Sequence, residues 1–462
     1  MNFRTEKSLV VSEQTNQNQD KKEQKIYQWD QEKYKLVKIN IQIYFTQEQK
    51  IVYLKDNLIL RIEQIYDTSK DIEILNNMEQ IQFLYWSGQY GLKNKKQGKW
   101  MASWDGKVLI NIGGYYRDGL KQGLWKELIK NYWSRATVFE TGEYHNDLRI
   151  GKWNYGFQKN KIDGEFQNSD GGFYNRVGQK KGKWVELDEG FFILKKITHH
   201  GEYNKMGYKV GRWDIVFREK LIGGGQYDQE EYQKKIGKWI EIDEEFRDDK
   251  QITYIGEYNI KGMKIGRWEI IFKELQIGGG SYDQAGLKIG KWVELWEGFQ
   301  YSAQVICNGE YNMNGLQIGR WDISYCDVDG DGKYQYLGGG SYDQKGLNKI
   351  GKWVELWGGF HNLAQVTYQG EYNIKGMKVG QWDIMYCEVR DGKYKKIGGG
   401  LYDQKEGQKK IGKWIELDEG FKDGRQITHN GEYNMIGKKV GAWIKMGTNY
   451  GKHIYEYLKY KK

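Results

Sequence analysis

From about residue 88 onward the chain alternates short apolar-aromatic runs with glycine-centred polar ones, and it does so with a period. A Trp follows Gly plus one residue thirteen times, at Trp100, Trp125, Trp153, Trp184, Trp213, Trp239, Trp268, Trp292, Trp321, Trp353, Trp382, Trp414 and Trp443. Two phrases alternate. One is "GEYNIKGMKIGRWEI", beginning at Gly256, and the other is "GGGSYDQAGLKIGKWVEL", beginning at Gly278. Self-similarity at such a period marks an array in which no unit buries its own apolar face and stacked neighbours supply the core.

The interval from Tyr to Trp varies between 9 (Tyr116 to Trp125) and 12 residues (Tyr227 to Trp239), and tolerated insertion places a turn there. Asn or Asp follows the Tyr directly (Asn259, Asn312, Asp283, Asp343), and those side chains bond nearby backbone in turns. Each unit therefore reads as strand, glycine-rich turn, strand. In the first phrase Ile270 follows Trp268 by two residues and Phe272 by four, so all three share one strand face. In the second an aromatic follows by seven (Trp239 to Phe246), and the odd spacing predicts a turn near "DEGF". Glycine opposite an aromatic on the next strand leaves room for the ring to lie over the backbone. The repeat Trp are expected to be scaffold.

The predicted fold is all-β: about thirteen stacked antiparallel β-hairpins in an elongated array, an open twisted sheet or solenoid, with a small N-terminal α+β cap. Residues 1–25 are polar and expected as a disordered tail, and residues 26–84 as the cap. The array is assigned to 85–447 and a charged C-terminal tail to 448–462. Within the cap, "KLVKINIQIYF" and "KIVYLKDNLILRI" read as strands. "TSKDIEILNNMEQI" reads as a helix capped by Thr68 or Ser69, with Ile72, Leu75 and Met78 on one face.

Composition changes this picture little. Aromatic content is 15% while hydrophobic content is only 39%, so rings rather than aliphatic layers must build the core. A net charge of +10 is mild for this length, and no nucleic-acid partner is expected. Cys307, Cys326 and Cys387 are expected as free thiols. The first residues lack the apolar core of a secretory signal, and no run approaches the ~18 apolar residues of a membrane span. The expectation is a cytoplasmic protein, peripheral to membrane or cytoskeleton if attached to either.

The two phrases resemble the MORN-variant repeat, a Y-x-x-G-x-x-x-G-x-W hairpin, over about Gly88 to Trp443. The resemblance implies a twisted sheet of successive hairpins and a scaffolding role at membrane, cortex or cytoskeleton. No polar constellation occurs just once, so no catalytic residue, metal or cofactor is expected. "DVDGDGKYQYLG" opens like a calcium loop at Asp327, Asp329 and Asp331 but has Gly338 where such a loop ends in Glu; a hairpin turn is the plainer reading. His199 and His429 fall where other copies have Tyr254 and Tyr368, which argues for packing. The candidate binding residues are lysines expected at hairpin tips, Lys209, Lys264, Lys288, Lys378 and Lys439, facing protein partners or an anionic membrane surface. The alternative is an aromatic repeat that binds a carbohydrate or choline-like ligand.

Overall fold

A computed structural model describes residues 22–460 apart from 31–34, 69–71, 159–165, 193–194, 231, 328–331, 389–391 and 405–407. It divides into two compact bodies, Met1–Lys234 and Lys235–Lys462. In both, strands follow one another in sequence order as antiparallel neighbours, joined by tight turns. This is the hairpin array that the periodicity predicts.

One repeat explains the rest. The strand Ile252–Tyr258 ends at Tyr258, and Asn259 then accepts the N–H of Lys261 at 2.9 Å and of Met263 at 3.0 Å. That Asx turn returns the chain into the strand Lys264–Phe272. Trp268, Ile270 and Phe272 on that strand are all buried, on one face, as their even spacing predicts.

Glycine does two separate jobs. Gly256 pairs with Trp239 across the sheet, and a Cβ there would lie 2.2 Å from the Trp268 ring. Gly280 pairs with Trp268 and is covered in the same way by Trp292. Each glycine thus faces one Trp and carries the next. The glycine before each Trp acts differently: Gly266 has φ +62 with open space where a Cβ would be, so it supplies a left-handed backbone and no ring seat. Tyr side chains fill the gaps between indoles edge-on. Tyr258 stands 5.4 Å from Trp268, and Tyr282 stands 6.1 Å away on its other side.

A second layer closes the rest of this face. Phe299, borne on a return turn, packs with Ile252, Ile270 and Phe272. The odd Trp-to-Phe spacing arises because the chain leaves the strand and tucks the ring back under the sheet. Phe360 and Phe421 repeat the plug farther along.

The N-terminal body begins with a four-stranded antiparallel sheet, Lys22–Asp30, Lys35–Phe45, Lys50–Lys55 and Leu58–Gln64. Its first strand starts at Lys22, within the span expected as tail; residues 1–21 lie outside the described residues. The helix is shorter and later than expected. It spans Met78–Phe83 with Asn77 as N-cap, its side chain accepting the Glu79 N–H. Thr68 lies in a turn outside it, Ser69 is outside the described residues, and Ile72 and Leu75 precede the helix. Tertiary bonds decide where it stops. The buried Arg61 guanidinium donates to the Ile81 and Leu84 carbonyls at 3.2 and 2.6 Å, closing the helix C-terminus. The cap then meets the array's return loops. Trp29 stacks on Trp133 at 5.1 Å, and Gln80 donates to the Lys130 and Tyr132 carbonyls.

The C-terminal residues expected as a tail form paired structure instead. Strand Lys439–Asn449 pairs with strand Lys452–Tyr460. Gly441 faces Tyr460 and Trp443 faces Leu458, just as Gly412 faces Tyr433 and Trp414 faces Gly431. "LKY" therefore stands in the register of "GEY", with leucine in the glycine position. A Cβ there removes the seat for another indole, so the ring ladder ends at Trp443. The charge pattern hid this, because Lys452, Glu456 and Lys459 are scattered along an exposed strand.

Candidate interaction surface

The five lysines expected at hairpin tips are the first residues of return strands, and their ammonium groups fold inward. Lys264 Nζ lies 3.9 Å from the Trp268 ring centroid and 2.8 Å from Glu241 Oε2. Lys209 lies 4.0 Å from Trp213 and 2.7 Å from Glu186, and Lys378 lies 3.8 Å from Trp382 and 2.8 Å from Glu355. Lys439 does the same over Trp443 with Glu416, and Lys288 over Trp292 with Glu294. A ring quadrupole attracts a cation by ~0.5–2 kcal/mol, and the carboxylate holds it there. These lysines roof the indoles.

The carboxylates are what sequence reasoning missed. Glu241 accepts Lys235, Lys264 and the Tyr258 hydroxyl, the last at 2.7 Å. Glu186, Glu355 and Glu416 hold the same three partners in their own repeats. Glu294 departs from the set, since Gln317 replaces the second lysine and reaches the Tyr311 hydroxyl at 3.5 Å. The signal was present: a Glu stands two residues after Trp in each "GKWVEL"-type phrase. Its partners lie 6 to 23 residues away, and only the pairing of strands brings them together.

Burial alone would raise the Glu186 carboxyl, but Lys180 and Lys209 outweigh it and hold the pKa down to about 2. Glu355 and Glu416 are held below the ordinary value by the same balance. A depressed folded-state pKa contributes stability above the unfolded value and loses it as pH falls through the folded one. Unfolding midpoints in urea are therefore expected to fall steeply from about pH 4.5 toward pH 2, more steeply in wild type than in Glu355→Gln. Glu355→Ala, which strands Lys349, Lys378 and Tyr372, is expected to cost about 1–3 kcal/mol, read as a shift in the same midpoint.

The return edge holds a smaller polar cluster. Asp188 meets Lys195 at 2.8 Å and His199 at 3.2 Å, and Asp418 meets Arg425 and His429. Asp243 instead accepts the Tyr254 hydroxyl at 2.9 Å. Where the sequence puts Trp296 in place of the Asp, Cys307 replaces the His or Tyr. Trp357 also takes the Asp position but keeps Tyr368 opposite it, so the carboxylate is not retained from repeat to repeat, which marks packing. Among the described residues no cluster of His, Cys, Asp and Glu could hold a metal ion. Asp327 is described, while Asp329 and Asp331 lie outside the described residues. The three cysteines are free thiols, and no described helix is long and apolar enough to cross a membrane.

The indoles offer little to a ligand. From Trp184 through Trp213, Trp239, Trp268, Trp292, Trp321, Trp353, Trp382, Trp414 and Trp443, none exceeds 4% exposure. What does face solvent is the turn. Ile260 is 83% exposed, Met313 73%, Ile374 85% and Met435 70%, all at the residue after the turn Asn. Leu287 and Leu347 are exposed on the intervening turns. An exposed apolar side chain standing alone needs no explanation, but these recur at equivalent positions. Lys261, Lys345, Lys375 and Lys438 are exposed beside them. Near Met313 the surface is hollowed by a groove of about 630 Å³ whose walls include Arg267, Lys291, Glu310 and Ile318.

No protein-family model matches the chain, and no curated protein matches it. Among solved structures it is similar to the WD40 domain of SCAP from fission yeast, at 8% identity over 89% of this chain and 93% of that one, with a TM-score of 0.21. A likeness that slight has no bearing on fold or function.

Proposed function

We propose that this chain is a non-enzymatic repeat scaffold of the MORN-variant kind that binds other proteins along its row of hairpin tips. The observation that carries this reading is the recurrence of a large exposed apolar residue at one turn position, Ile260, Met313, Ile374 and Met435. Nothing in the fold of a hairpin needs an isoleucine there, because the turn is made by the Asn side chain and the glycine. Solvation alone favours a polar residue, and the intervening turns place Gln284 and Gln344 at that position. The carbohydrate or choline alternative is disfavoured because Gly, Tyr and Lys already cover the indoles. A membrane role for Lys209, Lys264, Lys288, Lys378 and Lys439 is disfavoured because each is paired to a glutamate.

The test is a fourfold variant, Ile260→Ser, Met313→Ser, Ile374→Ser and Met435→Ser, compared with wild type by proximity labelling. Its thermal unfolding should match wild type, since the side chains removed are already in water. The expected result is loss of a defined set of labelled proteins. An unchanged set moves the binding site away from the tips. Wild-type protein that sediments with anionic vesicles, while the variant does not, would make the ridge a membrane surface and overturn the protein-binding reading.

A further inference from the structure

We propose that the tip ridge of Lys235–Lys462 takes an acidic amphipathic α-helix. This rests on the tip reading above and names the class of partner. Three features of the ridge select it.

The first is spacing. Successive turns are stacked, Gly286 against Met263, Gly315 against Leu287 and Gly346 against Leu316, so neighbouring tips stand two strands, about 9–10 Å, apart. The exposed residues met in order are Ile260, Leu287, Met313, Leu347 and Ile374. Along a helix, residues seven apart lie on one face about 10.5 Å from each other. One apolar residue per heptad therefore keeps pace with one apolar residue per turn.

The second is hydrogen bonding. An extended peptide gains its affinity from main-chain bonds to an open strand edge, and these turns have spent theirs. Asn312 accepts the Asn314 and Leu316 N–H groups, and Asn373 accepts those of Lys375 and Met377. Asp283 accepts the Ala285 and Leu287 N–H groups in the same way, and Asp343 accepts that of Leu347. A helix satisfies its own backbone and needs only side-chain contact.

The third is charge. The turn aspartates are directed onto backbone N–H groups, whereas Lys261, Lys345, Lys375 and Lys438 are exposed among the apolar residues. Glutamates flanking an apolar stripe would meet those lysines, and the attraction would weaken as salt screens it.

The test uses the full chain and three fluorescent peptides of about 28 residues. The probe is a helical peptide with Leu at every seventh position and Glu on either side. One control replaces its Glu by Lys; the other has the probe's composition with Leu at alternate positions. Fluorescence anisotropy is expected to show the acidic helix binding at least about tenfold tighter than either control, a difference of about 1.4 kcal/mol. The fourfold serine variant should lose at least about tenfold. Equal binding of the helix and its alternating control, or of the acidic and basic helices, overturns the helix assignment. If the serine variant still loses its labelled partners in that case, the tip reading stands without it. Equal binding of the acidic helix to wild type and variant places its site elsewhere and overturns the proposal.

Discussion

Replacing Gly370 by valine is expected to unfold the hairpins on either side of it. The residue pairs with Trp353 on one strand, and a Cβ on it would lie 2.3 Å from Cδ2 and Cε2 of the Trp382 indole. That ring is 2% exposed and held edge-on between Tyr372 at 5.3 Å and Tyr402 at 6.1 Å. It has no direction in which to yield. Overpacking usually costs about 1–3 kcal/mol, and a cost at or above the upper end is expected where the obstructing group is a ring seated on backbone. The control is Gly351→Asn. Gly351 has φ +66 with nothing where its Cβ would be, and Asn tolerates that conformation, so about 1 kcal/mol or less is expected. Urea unfolding of the two variants should separate them clearly. Equal costs would mean that the two glycines serve the same purpose, contrary to the ring-seat geometry.

Trp268→Ala is expected to cost about 3–5 kcal/mol through loss of a buried ring. Tyr258 and Tyr282 each lose an edge-to-face partner, and Lys264 keeps Glu241 but loses the ring beneath it. Contacts in an array run between nearest neighbours, so the damage should stay local. Hydrogen exchange followed by mass spectrometry is expected to show faster exchange over residues 235–295 and unchanged exchange near Trp414. Uniform acceleration across the C-terminal body would instead mean that its hairpins unfold as one unit.

The sequence alone determined the fold class, because the information sits in local spacing repeated many times. The Tyr-to-Trp interval marks the turn, the even Trp-Ile-Phe spacing marks one strand face, and glycine opposite Trp is a steric necessity visible in any copy. The misreadings share one cause. The helix starts only at Met78 because Asn77 bridges to Tyr27 and the Tyr27 N–H donates to the Asn76 carbonyl, and no local capping signal reports a partner that far back in the chain. The last strand looked like a charged tail because its hydrophobic alternation is weak; its pairing to Lys439–Asn449 is what makes it a strand.

The candidate site was harder still. A lysine in a glycine-rich turn reads as an exposed charge, yet Lys264 is committed to Glu241 and Trp268, on two strands that a linear reading does not join. Its inward direction depends on the sheet register. The same register leaves Ile260 with nothing to cover it, although a β-branched apolar residue in a sequence is ordinarily assigned to a core. Repetition fixed which residues build the ladder. Only the stacking of strands decided which charges were neutralised within it and which apolar side chains were left to face solvent.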